Sequence, residues 1–177
     1  MDFQNTLKSL KVKVFLDGAD LDSIKEYASL DVIHGFTSNP SLMSQNNISN
    51  YEDFIINTLK LVNDKPVSFE VVEDENNLII EQAKRIANFS NNIFVKIPIV
   101  NTNGISCIPA IKELSKQGIP LNITAILTDL QAIEVIKAIP DPSNEIILSI
   151  FAGRIADTGI DPKTTFKEVI KAKSNIS

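Results

Sequence analysis

The sequence predicts an α/β protein built on a parallel sheet, and three features of the chain predict it. Short apolar runs rich in β-branched residues alternate with longer stretches of helical periodicity. The alternation repeats six times, and the runs are nearly solidly apolar instead of apolar at every second position. Strands that are apolar on both faces are covered on both faces, and strands joined each time by a helix run parallel. A doubly wound sheet and a β/α barrel both meet these conditions.

The elements follow in order. Val12 to Leu16 is the first strand run and Leu21 to Ala28 the first helix; Val32 to His34 is the second strand. A new segment starts at Asn39-Pro40-Ser41, because Pro40 drives Asn39 into an extended conformation. Tyr51 to Val62 reads as helix, with Phe54, Ile55, Thr58, Leu59 and Val62 on one face. Val67 to Val72 is the third strand, followed by a helix over Glu75 to Asn88 whose inner face carries Leu78, Ile79, Gln82, Ala83, Ile86 and Ala87. Ile93 to Ile97 is the fourth strand and Gly104 to Gln117 its helix; Gly118 is the expected left-handed cap, and Pro120 opens the fifth strand, Leu121 to Ile123. Asp129 to Ile139, Ile146 to Ile150 and Thr164 to Lys171 complete the series. With no linker and no low-complexity tract, one domain over residues 1–177 is expected.

Composition narrows the function. The chain is 44% hydrophobic and 22% charged, with a net charge of -5. The arginines, Arg85 and Arg154, stand far apart, so there is no basic stripe to track a phosphate backbone, and nucleic acid is not an expected partner. No apolar run approaches the roughly 20 residues that span a bilayer, and no membrane partner is expected. The N-terminus lacks the basic and apolar regions of a secretory signal, and Cys107 alone builds no disulfide framework, so the cytoplasm is the expected compartment. One His and one Cys exclude the usual zinc spacings, and Cys107 reads as core packing.

Lys96 is the most informative residue. It sits in Ile93-Phe94-Val95-Lys96-Ile97-Pro98-Ile99-Val100, one charge in an oily strand. A lysine withdrawn from water can carry a free lone pair and attack a carbonyl as a Schiff-base nucleophile. A lysine near a strand end can instead snorkel its head to water.

The other strand ends bear on that choice, since catalytic residues of a parallel barrel come from the C-terminal ends of its strands. Asp17 ends the first strand, with Asp20 after it; Thr37, Ser38 and Asn39 follow the second; Glu70 interrupts the third. Asn122 and Thr124 belong to the fifth, and Ser149 with Arg154 to the end of the sixth. Singly, an Asp after a strand is an ordinary helix N-cap and an Asn before Pro ordinary turn chemistry. Together they make a coherent aldol-type set: a lysine that attacks a ketone, an Asp that takes a hydroxyl proton as the adjacent carbon–carbon bond breaks, and a Glu that activates water. Arg154 and Ser149 suit a phosphate, and Asn39 and Asn122 suit sugar hydroxyls. The iminium serves as electron sink, so no metal is required.

Five ordered stretches carry a resemblance: Phe15-Leu16-Asp17-Gly18-Ala19-Asp20, Gly35-Phe36-Thr37-Ser38-Asn39-Pro40-Ser41-Leu42, Val95-Lys96-Ile97-Pro98, Asn122-Ile123-Thr124 and Phe151-Ala152-Gly153-Arg154-Ile155. In these the chain resembles the transaldolases, in particular the small single-domain subfamily that includes fructose 6-phosphate aldolases. The resemblance implies a (β/α)8 barrel of the class I aldolase type. It implies transfer of a dihydroxyacetone unit between sedoheptulose 7-phosphate/glyceraldehyde 3-phosphate and fructose 6-phosphate/erythrose 4-phosphate through a lysine Schiff base. It implies Lys96 as that lysine, Asp17 as acid–base group, and Glu70 with Thr124 on the catalytic water. Asn39, Asn122, Thr37 and Phe151 would contact substrate, and Ser149 with Arg154 would hold its phosphate. Sugar phosphates are the implied partners, with no cofactor. A homo-oligomer is expected on a separate ground, since a sixth strand, Ile146 to Ile150, without a further neighbour leaves apolar surface to cover.

Two positions bear on the branch. Aldolases of the subfamily carry Gln where this chain has Glu70 and Tyr where it has Phe151, so the chain resembles the transaldolases. Family chains also continue with two more strands and a C-terminal helix, whereas about six β/α units are expected here. Two alternatives therefore stand beside transaldolase activity: fructose 6-phosphate aldolase-like cleavage, and a non-catalytic, truncated barrel that binds sugar phosphates or another protein.

Overall fold

A computed structural model describes residues 3–139, 141 and 143–175. The elements in order are α1 (Phe3–Lys8), β1 (Phe15–Asp17), α2 (Leu21–Ala28), β2 (Gly35–Thr37), α3 (Pro40–Gln45), α4 (Tyr51–Val62), β3 (Val67–Glu70) and α5 (Asn76–Ala87). They continue as β4 (Ile93–Pro98), α6 (Ile108–Lys116), β5 (Leu121–Ile126), α7 (Asp129–Ala138), β6 (Ile146–Ile150), α8 (Ala152–Asp157) and α9 (Pro162–Ser174). Two compact units contain them: Met1–Glu70 with Asn88–Ile93, and Val71–Ala87 with Phe94–Ser177. In the first, β1 pairs with β2 and β2 with β3; in the second, β4 pairs with β5 and β5 with β6, all parallel. Within each unit consecutive strands are sheet neighbours and none is skipped. That order belongs to a β/α barrel, not to a doubly wound sheet, whose strand order reverses at a switch point. The fold is α/β, a partial (β/α) barrel with six β/α units among the described residues.

In the first unit α2 and α4 form over Leu21–Ala28 and Tyr51–Val62, the spans their periodicity predicts. Asp20 caps α2 by accepting from Ser23 N at 2.9 Å, and Asn50 caps α4 by accepting from Asp53 N at 3.2 Å. The other end of α2 is closed by a cation: Lys65 Nζ donates to the carbonyls of Ala28 and Leu30 at 2.7 and 2.8 Å. Phe54 of α4 meets Phe69 of β3 edge to face, with centroids 5.9 Å apart. The second strand differs from expectation. Val32 and Ile33 are buried, as their composition suggests, but Ile33 N closes a turn on Leu30 O, and the strand runs over Gly35–Thr37 instead. Gly35 is needed there: a Cβ would overlap the Phe15 ring and lie 2.7 Å from Pro66 O.

In the second unit Val95, Ile97, Leu121 and Ile123 are completely buried. Each such side chain contributes about 1.5–3 kcal/mol of hydrophobic stabilisation. Gln82, counted among the inner-face positions of α5, is buried for a polar reason: its Oε1 accepts from Val72 N at 2.8 Å and Glu73 N at 3.0 Å, tying down the chain after β3. α6 begins at Ile108, later than its periodicity suggests, because the stretch before it folds back as a turn. Val100 bridges Ser106, Asn101 Oδ1 accepts from Asn103 N and Ile105 N, and Gly104 takes φ +75°. Gly118 has φ +72° just past α6, as its sequence position predicts. Thr128 and Gln131 form a capping box on α7. All five residues of β6 are only half-buried. Among the described residues no helix is long and apolar enough to cross a membrane.

Candidate active site

Within the first unit the sequence-predicted residues Asp17, Thr37 and Glu70 are the last residues of β1, β2 and β3, and Asn39 stands two residues past β2. Asp17 and Thr37 are register partners, and Thr37 Oγ1 donates to Asp17 Oδ1 at 3.1 Å. Asp17 is exposed, and Thr37 orients one of its carboxylate oxygens. Asn39 is the N-cap of α3, its Oδ1 accepting from Leu42 N at 3.0 Å. That fixes the amide's orientation. Glu70 is half-buried, and its main-chain carbonyl accepts a hydrogen bond from the Tyr51 hydroxyl.

Within the second unit Lys96 lies inside β4 and is 7% exposed. It is opposite Asn122, and Pro98 is opposite Thr124. Alternate strand residues share a face, so Lys96, Asn122 and Thr124 line one side of the sheet while Val95, Ile97, Leu121 and Ile123 pack on the other. Ser149 Oγ donates to Asn122 Oδ1 at 2.7 Å, joining the fifth and sixth strands on the face of Lys96. Thr124 is 2% exposed, and its hydroxyl has no hydrogen-bond partner among the described residues. A buried hydroxyl of that kind is a place for a water or a ligand atom.

Beside Thr124, Ala125 sits at φ +58°, and the β5–β6 register shifts between Ile123 and Ile126. Three steps along β5 from Ile123 match two along β6 from Leu148. This is a β-bulge, the device that re-aims side chains next to active sites. Phe151 follows β6; its amide donates to Ile126 O at 2.9 Å, and the residue is 39% exposed. Arg154, on α8, is exposed and pairs with Asp157 at 3.9 Å, a contact of little energetic weight.

The structure adds residues that the sequence reading passed over. Asp74 accepts from Thr102 N at 2.8 Å, Thr102 Oγ1 at 2.6 Å and Asn103 Nδ2 at 3.2 Å, joining the segments that follow β3 and β4. These bonds hold its carboxyl below the usual carboxylate range. Asn76 reinforces the join by donating to Ser106 O at 3.2 Å. Cys107 is buried at the start of α6, and burial, with the Asp74 charge adding, pushes its thiol up to about 11. It packs in the core, as expected, and the raised pKa keeps the thiol protonated. Among the described residues no group of three His, Cys, Asp or Glu side chains is placed to hold a metal ion.

Parallel β/α units with a buried strand lysine among hydroxyl and amide groups define the class: a β/α-barrel protein with the elements of an aldol-type enzyme. The family model for Transaldolase/Fructose-6-phosphate aldolase matches residues 14–176. A probable transaldolase of Syntrophobacter fumaroxidans is 36% identical over 166 residues, 93% of this chain and 71% of that protein. Probable transaldolases of Thermoplasma volcanium and Nitrosopumilus maritimus are 34% and 32% identical, over 89% of this chain and 67% and 66% of theirs. The chain belongs to the transaldolase/fructose-6-phosphate aldolase family, and is an enzyme of aldolase/transaldolase type.

Proposed function

We propose that the chain is a transaldolase in which Lys96 forms a Schiff base with a ketose phosphate. The observation that carries the reading is Lys96 itself, buried on the sheet face that also bears Asn122, Thr124 and Ser149, in a chain of this family. Its Nζ attacks the ketone carbon to give a carbinolamine, which loses water as an iminium. Glu70 moves protons through water in that step, and the orphaned Thr124 hydroxyl is assigned to a water. Asp17 takes the proton from the C4 hydroxyl, the C3–C4 bond breaks, and its electron pair flows into the iminium to leave an enamine while the aldose phosphate departs. The enamine attacks an acceptor aldehyde, and hydrolysis returns Lys96. Asn39 and Asn122 bind sugar hydroxyls, Thr37 keeps Asp17 oriented, and Ser149 with Arg154 receives the phosphate. Arg154 leaves its weak surface pair with Asp157 to do so. The substrates are sedoheptulose 7-phosphate with glyceraldehyde 3-phosphate, and fructose 6-phosphate with erythrose 4-phosphate.

Transfer is favoured over simple cleavage by Glu70 and Phe151, since a phenyl ring offers no proton to the enamine. Borohydride added with fructose 6-phosphate is expected to fix substrate-derived mass on the peptide containing Lys96. Lys96→Arg removes it, because guanidinium forms no imine at ordinary pH. Labelling elsewhere overturns the assignment. Binding of fructose 6-phosphate without turnover when erythrose 4-phosphate is present marks a non-catalytic protein. Free dihydroxyacetone at full rate without that acceptor marks an aldolase.

A further inference from the structure

We infer that Tyr51 is a positioning residue for Glu70, its hydroxyl replacing a ladder donor that Pro40 removes; this rests on the transaldolase reading. The β2–β3 ladder advances two residues at a time, Phe36 N donating to Pro66 O at 2.9 Å and Ser38 N to Ser68 O at 3.0 Å. The next donor in that series is residue 40 and the next acceptor is Glu70. Asn39 keeps the chain extended, with φ -151° and ψ 162°, so residue 40 is still in line. Residue 40 is a proline, and proline has no N–H. Pro40 therefore offers the Glu70 carbonyl no N–H, and the Tyr51 hydroxyl donates to that carbonyl at 2.5 Å.

The phenol is well placed to hold that position. Tyr51 is the first residue of α4, and Phe54, one turn on and on the same face, meets Phe69 edge to face. Helix α4 thus grips the end of β3 at adjacent residues, by a ring at Phe69 and a hydrogen bond at Glu70. Burial raises the phenol's pKa, and the charge of the Glu70 carboxylate adds to the rise, so Tyr51 remains a donor throughout the working pH range. Glu70 has a carboxylate whose placement depends on where its own main chain is held. Catalytic groups tolerate displacements well under 1 Å.

The test measures the rate of borohydride-trappable imine formation with fructose 6-phosphate, over a pH series, in the full chain. Tyr51→Phe is expected to slow that rate about tenfold, shift the acid limb of its pH profile and leave KM for fructose 6-phosphate unchanged. Added to Glu70→Gln, it is expected to change nothing further, because its effect runs through Glu70. Pro40→Ala in the Tyr51→Phe background restores an N–H in line with the carbonyl, and is expected to recover part of the rate. A Tyr51→Phe chain with wild-type rate and pH profile overturns the inference. So does a double variant whose losses multiply, or a Pro40→Ala background with no recovery. Absence of trapping in the wild type overturns the transaldolase reading beneath it, a result separable from normal trapping that Tyr51→Phe leaves untouched.

Discussion

Lys96 and Cys107 are both buried in the second unit, in different surroundings. Lys96 shares its sheet face with hydroxyl and amide groups, whereas the Cys107 thiol is held protonated by burial and by the nearby Asp74 charge. Thiolate is the reactive form. Iodoacetamide at neutral pH is therefore expected to label Cys107 far more slowly in the folded chain than in the denatured chain. Equal rates, measured by mass spectrometry, would contradict its placement. Lys96 was legible in the sequence because a single charge in an apolar run has few reasons to be there. Tyr51 was not: nothing local marks a tyrosine that opens a helix, and its partner is a carbonyl 19 residues away.

At the scale of elements, helices with a strong apolar face were read closely, and the short ones escaped. α3 and α8 have six residues each, too few for periodicity to show. The second strand was placed a few residues early, because the core also takes apolar side chains from turns. Its observed start depends on Gly35. Gly35→Ala is expected to lower stability by about 1–3 kcal/mol in denaturant unfolding, the cost of overpacking against Phe15 and the Pro66 carbonyl. An unchanged midpoint would show that these neighbours yield. Ala125 makes the opposite case. At φ +58° an alanine is strained, so Ala125→Gly is expected to stabilise the chain by up to about 1 kcal/mol, while Ala125→Val destabilises it. Loss of stability in both variants would mean that the bulge carries no strain.

Across the whole molecule, three aspartates tie stability to pH. Asp20 with Ser23, Asp74 with Thr102 and Asp141 with Ser143 all have folded-state pKa values lowered chiefly by side-chain and then backbone hydrogen bonds. A depressed folded pKa gives stability that is fully present above the unfolded value of about 4 and is lost as pH falls through the folded value. Thermal midpoints are expected to drop with pH below about 4. In a chain carrying Ser23→Ala, Thr102→Val and Ser143→Ala the drop should be shallower, and parallel curves would remove these pairs as its cause.

The α/β class, the order of the β/α units and the candidate lysine were all readable from the chain. These follow from local periodicity, and from the cost of placing a charge in an apolar strand. Periodicity says where a strand is and not which strand lies beside it, so it left barrel and doubly wound order open; the resemblance implied the barrel, and the strand pairings bear it out. Only the tertiary structure decided details of the site. The bulge at Ala125, the Ser149–Asn122 bond and the Tyr51 hydroxyl at Glu70 join strands or helices distant in sequence. A hydrogen bond between distant segments leaves no period in the chain, and it exists only once packing has brought its two ends together.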